Sequence, residues 1–449
     1  MNRHHAYLAV TGLIFITLTV VFIALPRSTF SELERRELKT FPPFSNESLA
    51  DGSFTAGVSS WFSDSQPFRD RFLSASMKFK DLLALNPGDD EDAITFHDGS
   101  DPAADMSPAR HQPTDEELEQ QNRDISQVSN SVKLDQESKT AKAGILIVGK
   151  APTARALMNY GGEGNGGKWY SDVMNLYQQR FGPSTQVYCM VVPTAMEFYC
   201  PDKARQNSKR IKPQLPTIRT IYSNLDKGVK AVDVYTPLGK HASEDIYLRT
   251  DHHWAPLGAY YAAQKLAEVA KVPFRQLKEY DRHVIHRFVG TMYGYSKDIS
   301  IKESPEDFVY YTPKDTAYTT TYINYSLGKD FKITSTSRPV KGPYFYKYSD
   351  GSGMAYSTFM GGDAKIVKVV TSTKNGRRIA IIKDSFGNAV PGYLFGSFEE
   401  VHVLDYRYFP KNIVKYVKDN RITDFCFINN IFNAYTQSVS ASYKKLLDQ

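Results

Sequence analysis

Short apolar runs rich in β-branched residues recur along the chain, and this pattern constrains the fold more than any other feature. They lie at 144–149 (GILIVG), 187–193 (VYCMVVP), 230–235 (KAVDVY), 378–384 (RIAIIKD), 400–405 (EVHVLD) and 424–429 (DFCFIN). Segments with helical spacing of apolar residues, such as 169–180, 214–225 and 256–270, separate them. The alternation predicts an α/β fold in which a parallel sheet carries helices on both faces.

The first residues contain a second strong signal, an uncharged apolar stretch at 6–25 (AYLAVTGLIFITLTVVFIAL). About 20 residues suffice to cross a bilayer core as a helix. We predict a transmembrane anchor within residues 1–26, with the N-terminus in the cytoplasm and the rest outside, because only a short tail precedes the stretch. A cleaved signal peptide is the alternative, although its apolar region is ordinarily about 7–15 residues and ends in a small-x-small site. Either interpretation predicts an extracytoplasmic protein, periplasmic or at the cell surface.

Composition divides the remaining chain into three parts. Residues 27–88 form a stalk and a region with helical spacing at 54–85. Residues 89–140 are acidic and polar with few large apolar side chains, so they bury too little surface to offset the ordering entropy and predict a flexible insertion. Residues 141–449 form the main domain, with a tyrosine-rich, β-rich or looped insertion at about 280–360. A lid or a groove for sugar rings is one role for that insertion, and packing is the ordinary role of a single tyrosine.

Charge and cysteine content exclude some functions. The formal net charge of +6 comes without a dense Lys/Arg block, so nucleic-acid binding is not predicted. Three cysteines leave at least one unpaired. A disulfide between Cys189 and Cys200 is compatible with an extracytoplasmic location, whereas buried thiols are the favoured interpretation for Cys189 and Cys426.

The sharpest local motif is Thr-Asp-His-His-Trp at 250–254. A serine hydrolase or transferase needs an imidazole to accept the nucleophile's proton and a carboxylate to orient that imidazole. Asp251 and His253, two residues apart on one loop, supply both groups. In an extended stretch they face one side and His252 the other, so we expect His252 to be structural or to contact substrate, and Trp254 to be a packing residue or a substrate platform.

A second motif, Lys-Asp-Ser-Phe-Gly-Asn at 383–388, follows an apolar strand. Ser385 there has its hydroxyl at the carboxyl edge of the sheet, where backbone N–H groups of the following turn stabilise an oxyanion. A helix N-cap is the alternative role for this serine.

Together the two motifs resemble the bacterial DHHW family, which is similar to the SGNH-hydrolase-like domains of periplasmic alginate O-acetylation proteins. Blocks at 30–45, 61–72, 288–293 and 405–409 extend the resemblance over most of the chain, and 89–140 is the segment without a match. The resemblance implies a flavodoxin-like parallel sheet and a catalytic triad of Ser385, His253 and Asp251.

The order of the motifs implies a circularly permuted SGNH arrangement, because the Asp/His pair precedes the serine. Rotated accordingly, the strand before Ser385 comes first, 400–405 second and 424–429 third. By this resemblance the oxyanion-hole asparagine follows the third strand, which makes Asn430, or else Asn429, the candidate. The glycine expected after the second strand is replaced by Asp405-Tyr406-Arg407, and an electrostatic role is predicted for Arg407.

A metal site is the competing interpretation of the histidines. Asp251, His252, His253 and the pair His283 and His286 supply zinc-ligand types. Adjacent histidines that face opposite ways argue against joint ligation, so neither a metal nor another cofactor is predicted.

The leading functional hypothesis is O-acyl transfer, above all O-acetylation, to an extracytoplasmic polysaccharide or cell-envelope polymer. By the resemblance, a multi-spanning membrane acyltransferase delivers the acyl group. One alternative is a carbohydrate esterase with the same triad, and another is a non-catalytic polysaccharide-binding or scaffold protein.

Overall fold

A computed structural model of the protein describes residues 3–25, 27, 29–31, 36–72, 75–76, 137–162, 167–328 and 333–448. The chain divides into an N-terminal unit, Met1–Asp89 with Lys297–Ile299, and a main unit, Asp90–Ser296 with Ser300–Gln449. Most of the predicted flexible insertion at 89–140 lies outside the described residues, and its end, Ser138–Thr140, is a strand.

The N-terminal unit contains helices α1 (Arg3–Ala24), α2 (Asn46–Ala50) and α3 (Ser53–Asp64), and the antiparallel strands β1 (Phe30–Ser31) and β2 (Arg36–Glu37). Helix α1 occupies the stretch for which we predicted an anchor. Within the described part of the chain, none of the helices combines the length and the apolar character needed to cross a membrane, so the anchor has no support from the structure. Of the helical region predicted at 54–85, α3 is present, and residues 77–85 lie outside the described residues.

The remaining described residues form the following helices and strands. The helices are α4 (Lys168–Phe181), α5 (Ala195–Tyr199), α6 (Asp202–Asn207), α7 (Leu215–Ser223), α8 (Tyr235–Lys240), α9 (Pro256–Ala270), α10 (Met292–Ser296), α11 (Ile299–Lys302), α12 (Ile413–Asp419), α13 (Ile431–Tyr435) and α14 (Gln437–Asp448). The strands are β3 (Ser138–Thr140), β4 (Leu146–Val148), β5 (Arg155–Leu157), β6 (Gln186–Val192), β7 (Val229–Ala231), β8 (Tyr280–Phe288), β9 (Glu306–Pro313), β10 (Tyr318–Leu327), β11 (Ile333–Thr336), β12 (Val340–Gly342), β13 (Lys365–Thr371), β14 (Arg378–Lys383), β15 (Glu400–Asp405) and β16 (Asp424–Asn430).

One nine-stranded sheet organises the main unit, in the order β11-β10-β13-β15-β14-β16-β6-β7, with β12 paired to β10. Strands β15, β14, β16, β6 and β7 are parallel neighbours, whereas β13 and β10 join in antiparallel sense. Counted from β14, the parallel strands have the flavodoxin-like order 2-1-3-4-5. The carboxyl ends of β14 and β16 therefore form the topological switch point, where α/β proteins bind ligands.

Burial along the central strands shows that both faces of the sheet are covered. Ile379, Ala380, Ile381 and Ile382 of β14 have no exposed surface, although successive side chains of a strand point to opposite faces. The α/β fold with a covered parallel core, predicted from the sequence, is present.

Two predicted features differ from the structure. The run at 144–149 forms β4 in a separate antiparallel sheet with β3 and β5, because short connections let it pair with its chain neighbours rather than with the main sheet. Within the tyrosine-rich region at 280–360, β8 and β9 form a two-stranded sheet of their own, while β10, β11 and β12 extend the main sheet.

All three cysteines are buried and free, so the Cys189–Cys200 disulfide is absent.

Candidate active site

Ser385 lies directly beyond the carboxyl end of β14 and opens a short 3₁₀ helix, Ser385–Ala389. The N-cap of that helix is Asp384, whose carboxylate accepts a hydrogen bond from the Phe386 N–H at 2.9 Å. The N-cap interpretation of Ser385 is therefore wrong, since its neighbour has that role. The serine hydroxyl takes part in a different contact.

His253 joins the two sequence motifs. Its Nε2 lies 2.8 Å from the Ser385 hydroxyl, and its Nδ1 lies 2.6 Å from Oδ1 of Asp251. With Asp251 ionised, Nδ1 carries the proton and donates it to the carboxylate, so Nε2 is the acceptor for the serine hydroxyl. The structure thus brings together the three side chains that the sequence analysis singled out, in the geometry of a Ser-His-Asp triad.

The carboxylate of Asp251 is held on its other side by Thr291. The Thr291 N–H and hydroxyl donate to Oδ2 of Asp251 at 2.8 and 2.9 Å. Burial opposes the negative charge of Asp251, but His253, His252 and the donors from Thr291 outweigh it and keep the pKa well below its usual range. Asp251 is therefore ionised near neutral pH. Sequence reasoning missed Thr291, because nothing in the block at 288–293 indicates its partner.

His252 does not face away from His253, so the expectation from an extended loop is wrong. The two rings lie with their centroids 3.8 Å apart, because residues 251–253 form bends rather than a strand. The His252 Nδ1 lies 2.8 Å from the Thr291 hydroxyl. Burial, with the neighbouring His253, lowers the pKa of His252 to about 3, so this imidazole is neutral at physiological pH. Its contact with substrate stays a prediction.

The positions of His252 and His253 also bear on the metal site considered from the sequence. Within the described residues, ligand atoms of Asp251, His252 and His253 lie within 4.8 Å of one another. Both ring nitrogens of His253, however, are engaged by Asp251 and Ser385, so joint ligation breaks a triad hydrogen bond. His283 and His286 contact Thr312 and Asp307 instead.

Two aromatic side chains hold the histidine and the serine turn in place. Tyr356 stacks on the His253 ring at 3.8 Å, and its hydroxyl donates to the Ser385 carbonyl oxygen at 3.0 Å. The indole N–H of Trp254 donates to the Phe386 carbonyl oxygen at 2.9 Å, and the side chain has no exposed surface. Trp254 is thus a packing residue, and its assignment as a substrate-binding residue is wrong. The sequence analysis did not single out Tyr356, which lies in the tyrosine-rich segment.

Asn430 follows β16, beside the serine turn, as the permuted arrangement predicts. Its side-chain oxygen caps α13, and its Nδ2 donates to Oδ2 of Asp384 at 3.0 Å. Its backbone N–H and the side chain of Asn433 donate to the same oxygen at 2.8 and 2.7 Å. Burial raises the pKa of Asp384 in spite of these donors. Asn430 therefore links the ends of β14 and β16, and its oxyanion role stays a prediction.

Asn429, the alternative oxyanion donor, has no exposed surface. Its side-chain oxygen accepts from the hydroxyls of Tyr170 and Tyr443 at 2.6 and 2.7 Å. The role of this asparagine is to organise the core, so the alternative is wrong.

Arg407 belongs to a cluster of four charged side chains at the same sheet edge. It binds both carboxylate oxygens of Asp405 at 2.7 Å and contacts Asp363 at 3.0 Å, while Lys383 contacts Asp363 and Asp405 at 2.8 and 2.7 Å. Burial opposes the charge of Asp363, but Lys383 and Arg407 outweigh it and lower its pKa. The electrostatic role predicted for Arg407 toward substrate stays a prediction, and its observed partners are these carboxylates.

A cavity of about 530 Å³ lies elsewhere, between β10, β13 and α12. Three lysines contribute to its lining, and no member of the triad does. Its lining residues are Thr321, Ile323, Pro339, Ile366, Lys368, Lys411, Asn412, Lys415, Tyr416, Asp419 and Asn420.

The sequence model of a family described as DHHW protein matches residues 34–89 and 155–404. The interval between the two matches contains nearly all of the predicted insertion at 89–140. No curated protein matches the chain.

Several solved structures are similar to the chain. A DHHW family protein from Eubacterium siraeum is 39% identical, with a TM-score of 0.59, over 67% of this chain and 95% of that one. Bacillus cereus PatB1, solved with a sulfonyl adduct, is 17% identical with a TM-score of 0.52, over 67% of this chain and 98% of its own, which supports the fold alone. The O-acetyltransferase domain of Pseudomonas putida AlgJ is more distant, at 12% identity and a TM-score of 0.36, over 67% of this chain and 99% of that domain.

Proposed function

Because the chain belongs to the DHHW family, we propose that it transfers an acyl group, in the first place acetyl, through Ser385, His253 and Asp251. The observation that carries the proposal is the 2.8 Å contact between the Ser385 hydroxyl and the His253 Nε2, continued by the 2.6 Å contact to Asp251. These distances lie within the reach that a nucleophile and its general base need. The position at the switch point of the sheet further supports it.

In the first half-reaction, His253 Nε2 takes the hydroxyl proton of Ser385 as Oγ attacks the acyl carbonyl carbon. The donor's leaving oxygen then takes that proton from Nε2, and the acyl group stays on Ser385 as an ester. In the second half-reaction, Nε2 takes the proton of an acceptor hydroxyl, whose oxygen attacks the ester. The new ester leaves, and the proton returns to Ser385.

Asp251 does not gain a proton in this cycle. It keeps the Nδ1–H tautomer of His253 and stabilises the imidazolium that forms in each half-reaction. Its depressed pKa supports this role, because a carboxylate that resists protonation stays a hydrogen-bond acceptor throughout. Asn430 and the backbone N–H of Ser385 are the proposed donors to the tetrahedral oxyanion, because the N–H groups of Phe386 and Gly387 are bonded to Asp384.

The proposed acceptor is an extracytoplasmic polysaccharide or another cell-envelope polymer, and the proposed donor route is a multi-spanning membrane acyltransferase. Both rest on the motif resemblance to the SGNH-like domains of alginate O-acetylation proteins. The extracytoplasmic location rests on the apolar stretch at 6–25.

A carbohydrate esterase is the second candidate, and the same geometry favours it. The triad activates any hydroxyl that reaches Nε2, whether of water or of a sugar. The two reactions therefore differ in the acceptor that reaches His253, which is a property to be measured.

The test is acetyl release from p-nitrophenyl acetate by the full chain, followed by mass spectrometry of the acylated peptide. Ser385→Ala and His253→Ala should each lower turnover by about 10²–10⁴-fold, and the acetyl group should map to Ser385. Ser223→Ala, an exposed serine that bonds only within α7, is the matched control and should leave turnover unchanged. Equal rates in all four proteins would contradict the proposal and favour a non-catalytic polysaccharide-binding protein.

Added oligosaccharides then separate the two enzyme classes. Acetyl recovered on the sugar indicates a transferase. Acetyl recovered only as acetate, at every sugar concentration, indicates an esterase.

A further inference from the structure

The loop that carries Asp251 and His253 is bound from outside the main sheet by Glu306, at the start of β9. Oε1 of Glu306 accepts from the Thr250 N–H at 2.7 Å and from the Thr250 hydroxyl at 2.6 Å. The Arg249 N–H donates to both carboxylate oxygens, at 2.9 and 2.8 Å. One carboxylate thus collects three donors from the two residues that precede Asp251.

Thr250 passes this constraint to the segment that binds Asp251. Its hydroxyl donates to Glu306 and accepts from the Gly290 N–H at 2.9 Å, while its carbonyl oxygen accepts from the Met292 N–H at 3.0 Å. Thr291, between those two residues, donates twice to Asp251. Thr250 has no exposed surface, so no solvent replaces these partners.

The contacts need a carboxylate. Two oxygens with four lone-pair sites accept three N–H and O–H donors at once, whereas a carboxamide offers one accepting oxygen and an NH₂ group that repels a donor. The Arg249 side chain lies 3.9 Å from the Glu306 carboxylate and supplies a compensating positive charge. Glu306 is only 10% exposed, which strengthens each of these hydrogen bonds.

We infer that Glu306 is a positioning residue for the acid–base pair: it fixes Thr250 and, through the 290–292 segment, the distance between Asp251 and His253. The inference rests on the proposed function, since it assigns the residue a role in the same triad. Glu306 hydrogen-bonds to Arg249 and Thr250 rather than to a member of the triad, and it acts through Thr250.

The test compares Glu306→Gln with Asp307→Asn, a substitution of the neighbouring carboxylate on the same strand. Asp307 is half exposed and contacts His286 instead of the loop. Two quantities are measured: the kinetics of p-nitrophenyl acetate turnover, and the downfield proton resonance of His253 Nδ1–H, assigned by its loss in His253→Gln.

Glu306→Gln should lower kcat about tenfold, because the less well oriented Asp251 stabilises the imidazolium of His253 less in the transition state. KM should be unchanged. The substitution should also shift or broaden the His253 resonance, because a longer contact to Asp251 weakens that hydrogen bond. Asp307→Asn should change neither quantity. An unchanged kcat and resonance in Glu306→Gln, or equal losses in both variants, would overturn the inference.

The resonance separates this inference from the proposed function. If the parent protein has no turnover, the function fails, but a resonance that responds to Glu306→Gln and not to Asp307→Asn still supports the positioning role. If Glu306→Gln does not fold, Thr250→Val replaces it, since it removes one hydroxyl donor and keeps the shape. A resonance unaltered in folded Thr250→Val would then contradict the inference.

Discussion

Thr291 connects two polar side chains of the acid–base loop, Asp251 and His252, through one hydroxyl. Its O–H donates to Asp251, so the lone pairs of the same oxygen are left for the His252 Nδ1–H. The neutral state of His252 fits this arrangement, because one ring nitrogen carries a proton and donates it to Thr291. Thr291 thereby holds Asp251 and His252 in one geometry.

Thr291→Val should lower kcat of acyl release about tenfold, because hydrogen bonds to a charged group contribute about 1.5–3 kcal/mol and part of that orients Asp251. The backbone N–H of residue 291 still binds Asp251, so activity is reduced rather than lost. Thr312→Val, which removes the partner of His283 outside the triad, is the control. Steady-state kinetics of both variants check the prediction, and equal activity of Thr291→Val and the parent protein would refute it.

Gly290 lies so close to Asp251 that no side chain fits between them. An added Cβ would stand 2.2 Å from the Cβ of Asp251, whereas Gly294 has nothing within 4 Å. Gly290→Ala should lower the free energy of unfolding by about 1–3 kcal/mol or more and displace the triad carboxylate. Gly294→Ala should leave stability unchanged or raise it by up to about 1 kcal/mol. Thermal melts and activity assays of the two variants test the prediction. A Gly290→Ala protein with full activity and unchanged stability would contradict it, because the loop would then accommodate the added methyl group.

At the scale of elements, charged side chains join the paired ends of β14 and β15 to the segment that precedes β13. Lys383 ends β14, Asp405 ends β15, and Asp363 precedes β13. Lys383 and Asp405 are buried, so each charge depends on its partners. The cluster therefore fixes the sheet edge that carries Ser385.

Asp363→Asn should destabilise the protein by about 3–5 kcal/mol at neutral pH, because it leaves Lys383 and Arg407 with one carboxylate. The lowered pKa of Asp363 means that its contribution is fully present above the ordinary aspartate pKa and is lost as pH falls below about 4. The difference in unfolding free energy between the two proteins should therefore shrink in acid. Asp419→Asn, at an exposed pair with Lys415, is the control. Denaturant titrations at several pH values measure both, and a difference independent of pH would contradict the prediction.

The sequence predicted the elements where one local pattern decides the outcome. Strand β15 and helix α9 have the predicted bounds, 400–405 and 256–270. Strand β4 was assigned to the wrong sheet, because an apolar run does not reveal which neighbour it pairs with. The same distinction holds for the site: Ser385 and His253 stand in recognisable motifs, whereas Glu306 acquires its role through a fold contact 56 positions away.

At the scale of the whole molecule, all three cysteines lie inside the main unit. Burial raises the pKa of Cys200 to about 11 and raises those of Cys189 and Cys426 as well. Thiolates are the reactive form, so the folded protein should not react with a disulfide-exchange reagent at neutral pH. After denaturation, all three thiols should react with the same reagent, at three equivalents per protein chain. Rapid labelling of the native protein would show that one of the thiols is accessible or that the core opens.

The strand order has a consequence for how the chain acquires its structure. Strand β16 pairs with β6, yet more than 230 residues of chain lie between them, as the contact of Asp424 with Tyr188 illustrates. Pairings this distant in sequence slow folding, because the chain must close a long loop before any contact is gained. During synthesis β6 emerges with an open hydrogen-bonding edge and must wait for the last strand of the sheet. Nascent chains thus pass through a period of exposure to aggregation, and chaperones that cover β6 would be expected to raise the yield of active protein.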